Sequence, residues 1–246
     1  MLAASGSPRL VYTAAVERLA ASVVRALRGA DDTFRLCDQI LPLEESAGLA
    51  AVRVLGPDAL APFVSGGHRF SADDAEVVVA SMRAFPVPEA QPGSTPDGHP
   101  GGEMAVRALR EWATGEVLTR LGVPGFARSC PRGTDVGRDS GWLPWVVVLA
   151  QLSPLAFPGL DSPVHAQVRR YRRDVARGVT RAMLRRDYLT TARLVRWLST
   201  AGEPAGDRWF ALEPVMRHIE LVAEPDAWLL LLELTIARSS REVSRS

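Results

Sequence analysis

SPRLVYTAAVERLAASVVRALRG, residues 7–29, decides the fold. Val11, Ala15, Leu19, Val23 and Leu27 recur every four residues. That step gathers them on one face of a 3.6-residue helix, whereas a half-buried strand would alternate apolar and polar residues throughout. Ser7-Pro8 offers a cap and a first-turn proline, and Gly29 a stop.

The same three-and-four stepping runs outward from this helix. Asp31 or Asp32 is placed to cap a short helix carrying Phe34, Cys37 and Leu41, ended by Pro42. Residues 44–55 and 57–64 form two more, and Ser71 with Asp74 resembles a capping box that opens a helix to about Arg83. A long helix over 103–121 turns Leu109, Trp112, Ala113 and Val117 inward. Residues 142–152 are apolar all round and predict a central helix, with Asp139 or Ser140 as its cap. The longest helix starts at Asp161-Ser162-Pro163 and reaches about Arg185. Asp187 and Asp207 cap the next two, the second stepping through Trp209, Leu212, Met216 and Ile219. A last helix begins near Glu224-Pro225 and frays from Ser239. Strand-like alternation is confined to Val77–Val79 and Val146–Val148, both inside helical patterns.

The expected fold is therefore all-α, an orthogonal or repeat-like array of about nine to ten helices. The last four would form two helical hairpins, although no fixed sequence repeat is present. Residues 85–102 break the pattern with prolines at 86, 88, 92, 96 and 100 and almost nothing apolar between them. This predicts a disordered Pro/Gly-rich loop or linker. It divides an N-terminal helical part, 1–84, from a C-terminal part, 103–246, the two sharing one joint core.

Composition removes several function classes. The chain has 246 residues, 29 basic against 28 acidic, for a net charge of +1. A surface built wholly for nucleic acid is not expected from that balance. Every basic residue is Arg, and Lys and Asn are absent, as codon bias in a high-GC bacterial-type genome would produce. Without Lys there is no Schiff base and no Lys-Ser/Thr phosphate loop. Without Lys and Asn a protein-kinase catalytic loop cannot be completed. Two cysteines, Cys37 and Cys130, make no disulfide framework, and free thiols in a cytoplasmic setting are expected. The most apolar run, 142–157, is shorter than the roughly 20 residues of a membrane helix, so no membrane span is expected.

The strongest local motif is a stripe of arginines. Arg169, Arg173, Arg177, Arg181 and Arg185 fall at i, i+4 intervals. Residues 169–186 hold eight arginines against one acid, Asp174. Like charges at this spacing repel by about a few tenths of a kcal/mol per pair. Internal acids, solvent, an acidic protein or a polyanion could each compensate that repulsion.

Other motifs read as structure. Asp31-Asp32 with Asp38 has the residue types of a magnesium-diphosphate site at a spacing that does not share one helix face. Asp139-Ser140-Gly141 echoes the nucleophile motif of chymotrypsin-like proteases, which are β-barrels. His68, His99, His165 and His218 form no paired metal motif, and neither metal nor cofactor is expected. His218 reads as a packed histidine. Glu233 shares a narrow face with Asp226 and Ser240, which predicts a solvent stripe or a seam pairing with Arg, against the alternative of a buried acid.

The leading functional expectation is a non-catalytic helical binding or scaffold protein that engages a protein or peptide partner. The runner-up is an enzyme of a helical cavity tailoring a peptide or a small apolar metabolite. It requires convergence of at least two of Asp135, Asp139, Cys130, Glu233 and His218. Nucleic-acid or polyanion binding through the arginine stripe ranks third.

Overall fold

The computed structural model describes residues 8–87, 102–131, 136–202 and 210–243. Every regular element among them is helical, as the stepping predicts. Ser7, Asp135, Asp207, Trp209, His99 and most of the Pro/Gly-rich segment lie outside the described residues.

The order begins with α1 (Pro8–Leu27), α2 (Leu36–Ile40) and α3 (Glu45–Leu55). A 3-10 turn (Gly56–Leu60) leads to α4 (Ala61–Val64), α5 (Ala72–Ala84) and α6 (Glu103–Arg120). Then come α7 (Trp142–Gln151), α8 (Pro163–Arg170) and α9 (Arg172–Leu184), with 3-10 turns at Arg138–Ser140 and Ser153–Leu155. The chain ends with α10 (Tyr188–Thr200), α11 (Leu212–Val222) and α12 (Trp228–Val243).

α10 sits at the centre, packed on α9, α12, α7 and α11. Its apolar residues Ala192, Leu194, Val195, Trp197 and Leu198 are all buried. α12 packs against α10 and also against α1, so the first and last described helices meet. There the Leu229 amide donates to Glu17 Oε2 at 3.0 Å. One cluster of buried apolar side chains runs from Ala15 to Ala237 through nearly every helix. Glu45–Val64 has the length and composition of a membrane span, but 72% of its most apolar window is buried within the protein, where it lines the core.

Capping was legible where the cap is local. Ser71 and Asp74 form the expected box, with Ser71 Oγ accepting from the Asp74 amide and Asp74 Oδ2 accepting from the Ser71 amide. Asp187 Oδ1 accepts from the Thr190 amide at 3.1 Å and opens α10. α2 differs from expectation, because Arg35 occupies its cap position and neither Asp31 nor Asp32 serves. The Cys37 amide instead donates to Asp74 Oδ1 at 3.1 Å, a carboxylate brought from α5. Gly141, not Asp139 or Ser140, precedes α7, with no side-chain cap.

Four further expectations need correction. The helix foreseen from Asp161 to Arg185 breaks at Tyr171, whose backbone (φ −114°, ψ 33°) leaves the helical region. The departure seats the Tyr171 ring edge-on against Trp145 at 5.9 Å. α7 is not buried on all sides, since Val147 is 51% exposed. The last helix starts at Trp228, after the turn that Glu224-Pro225 makes. The tail beyond Ser239 stays helical to Val243, because Arg238 and Arg241 pair with Glu220 and Glu213 of α11 and Ser240 is buried.

Candidate functional site

α9 presents two faces of opposite character. Val175, Ala176, Val179 and Ala182 are buried toward the core. Gly178 lets α9 approach its neighbours closely: a Cβ there would lie 2.3 Å from Val146 Cγ1 of α7 and 3.1 Å from Leu194 Cδ1 of α10. With that face pinned, the helical period turns Arg173, Arg177 and Arg181 outward in one row, continued by Arg185 just beyond the helix end.

These four arginines line a single groove of about 820 Å³ with Trp142, Leu184 and Phe210 as its apolar walls and Ala176 and Thr180 between the cations. Arg181 and Arg185 also border a second depression of about 460 Å³ on the α7 side, where Val147 lies. The fifth residue of the stripe is elsewhere. Arg169 precedes the break at Tyr171 and donates through both terminal nitrogens to Asp161 Oδ1 at 3.1 Å.

The groove wall is held by a chain of cation contacts. The Arg177 guanidinium lies over the Trp142 ring at 4.5 Å and donates to Asp174 Oδ1 at 3.2 Å. Arg138 donates to the other oxygen, Asp174 Oδ2, at 2.6 Å, and covers the Tyr171 ring at 4.4 Å. Both oxygens of the stripe's one acid are thus engaged. Among the described residues, the guanidinium groups of Arg181 and Arg185 take part in no hydrogen bond or ion pair.

Of the residues named for an enzyme, Asp135 lies outside the described residues, and the other four have different neighbours. Glu233 is buried beside Arg196, and His218 meets Tyr188 edge-on, 6.1 Å between ring centroids. Asp139 sits in the 3-10 turn before α7, and Cys130 packs at the edge of the core after α6. Burial pushes the Cys130 thiol up, and burial together with Asp74 does the same to Cys37, the opposite of an activated nucleophile. Among the described residues no three His, Cys, Asp or Glu side chains gather as metal ligands would.

The sequence reading missed a buried charge cluster. Arg196 of α10 is fully buried and holds Asp58 in a two-point fork at 2.6 and 2.8 Å. Its Nη1 also donates to Glu233 Oε2 at 2.9 Å, and its Nε to the Ala156 carbonyl at 2.8 Å. Ser153 Oγ and Arg193 Nε both donate to the other oxygen, Glu233 Oε1. Burial pulls the Arg196 pKa down, and the two carboxylates more than reverse that, holding it above its ordinary value. Glu233 is therefore a buried acid, the alternative to the favoured solvent stripe; only the pairing with Arg holds, and Asp226 lies before α12 and does not share its face. The signal for Arg196 was its position: it stands four residues after Ala192, on the same face as the core.

His165 is a second buried polar residue, hydrogen-bonded through Nδ1 to Ser162 Oγ at 2.8 Å and edge-on to Trp197. Burial lowers its pKa to about 4.

No family model, curated protein or solved structure matches this chain.

Proposed function

We propose that this chain is a non-catalytic docking protein whose α9 groove receives an acidic segment of a partner protein. The observation that carries the reading is an exposed row of four guanidinium groups along one groove, of which Arg181 and Arg185 have no acid partner among the described residues. Mutual repulsion along such a row is relieved by carboxylates from outside. Trp142, Leu184 and Phe210 give those carboxylates an apolar flank, and arginine beside aromatic side chains is the composition of energetic centres at protein interfaces. Among the described residues of its lining there is no carboxylate, histidine or thiol that would make a base or nucleophile pair. The depression near Met82, Trp112 and Phe126, about 560 Å³, mixes Arg83 and Arg128 with Glu111 and has no comparable ladder.

The test is a fluorescence-anisotropy titration of a labelled Glu/Leu peptide against the chain and against Arg173→Glu/Arg181→Glu. Binding should weaken by at least about tenfold in the variant, and should fall as sodium chloride rises. Equal binding by parent and variant removes the groove as the site. Preferential binding of a nucleic acid, with a steep salt slope, replaces the reading by the polyanion one.

A further inference from the structure

Resting on that reading, we infer that the partner's acidic segment crosses α9 at Arg181 and Arg185, and that apolar side chains on either side of its carboxylates enter the two hollows flanking this pair. Arg181 and Arg185 are the cations of the row with no acid partner among the described residues, and each borders both hollows. At about 100° per residue, Thr180 and Leu184 fall on one side of the line joining them, and Gly178 and Ala182 on the other. The former line the α9 groove and the latter the α7-side hollow. The pair thus stands on the ridge between the two. Arg177, held by Asp174 and Trp142, borders the α9 groove and not the α7-side hollow.

Both hollows turn apolar where they leave the pair. Leu184 is 82% exposed on the groove side. On the other side the half-exposed Val147 stands with Leu143, Ala150 and Leu194. Covering such surface while carboxylates meet the cations combines apolar burial with charge-assisted hydrogen bonds. At about 460 Å³ the α7-side hollow has room for a large apolar side chain. It also carries Asp187, and its Arg193 already donates to Glu233, so an apolar side chain suits it better than a further carboxylate. A single-stranded nucleic acid is served less well. It needs aromatic faces on which bases stack, and the described lining of the α7-side hollow has none.

The experiment uses the full chain and four labelled probes. Three are Gly/Ser-rich peptides built around a Glu-Glu pair. The first has Leu on both sides of the pair, the second on one side, and the third has Ser in place of both. The fourth probe is oligouridylate. The first peptide should bind about tenfold or more tighter than the third, with the second between them. Val147→Ser and Leu184→Ser should each bring the first peptide down toward the second and leave the third unchanged. Their thermal transitions should stay in place, since both side chains are exposed. Arg181→Gln/Arg185→Gln should weaken all three. Equal binding of the three peptides by the parent chain overturns the crossing and leaves an acidic partner segment standing. A Val147→Ser chain that melts like the parent and holds the first peptide as tightly does the same. Binding of no peptide, or tighter binding of oligouridylate, overturns both. So does a dimer, seen by light scattering, that Arg181→Gln/Arg185→Gln dissolves, because a second copy of this chain then takes the place of the partner.

Discussion

Arg196 has no water to fall back on, and everything around it follows from that. A guanidinium buried between Asp58 and Glu233 is tolerable because its fork, its Nε and both carboxylates are all hydrogen-bonded. Arg196→Met nearly keeps the volume, strands Asp58 and leaves Glu233 only Ser153 and Arg193, so urea unfolding should show a loss of about 3–5 kcal/mol. Replacing all three charges together, with Asp58→Leu and Glu233→Leu added, should recover most of that loss. A triple variant no better than the single one would mean that the cluster is not acting as a unit. His165 sets a second expectation, in pH. Its pKa is lowered by burial to about 4, from about 6.5 in an unfolded chain. Its neutral form therefore contributes fully above pH about 6.5. As pH falls toward about 4 the unfolded state takes the proton first, and about 3 kcal/mol of stability drains away. His165→Leu should flatten the stability–pH slope in that window, whatever its effect at neutral pH. An unchanged slope would place the titration elsewhere.

At the scale of elements, the α7–α9 crossing depends on a missing methyl group. Alanine at 178 would gain about 1 kcal/mol of helix propensity, yet its Cβ would meet a β-branched, stiff Val146 at 2.3 Å. Overpacking of this kind costs about 1–3 kcal/mol, so Gly178→Ala should be net destabilising in a denaturation series, and adding Val146→Ala should partly relieve it. An additive double mutant would show that the two positions do not touch. The same crossing shows what the sequence could and could not reveal. Periodicity found the helices and the arginine row, because each is written within one segment: Val11 to Leu27 in α1, Arg173 to Arg185 along α9. It missed what other segments supply. Asp74 satisfies the start of α2 from 37 residues away, and Asp58 meets Arg196 across 138. The break at Tyr171 was equally hidden, since nothing in the local pattern of arginines announces a ring that seats on Trp145. That break is why Arg169 answers to Asp161 while the other four arginines share a groove.

For the whole molecule, the decisive contact is between α1 and α12. α12 lies on α1 and α10 at once, with Leu230, Leu232, Leu234 and Ile236 buried and Glu233 closing the cluster around Arg196. Removing residues from 224 onward would expose the facing sides of both helices. It would also leave Arg196 one acid short and free Glu17 from the Leu229 amide. Losing that much apolar burial removes a large part of a net stability that is only about 5–15 kcal/mol for a folded protein. The truncated chain should therefore lose its cooperative thermal transition, followed by circular dichroism and tryptophan fluorescence together, although α9 and its arginine row remain in the sequence. Peptide binding should vanish with it, because the row is a groove only while α10 holds α9 against α7. A truncated chain that still melted in one sharp step and still bound the acidic peptide would show that the site is held by α7, α9 and α10 alone, and that the packing of α12 on α1 serves some purpose other than stability.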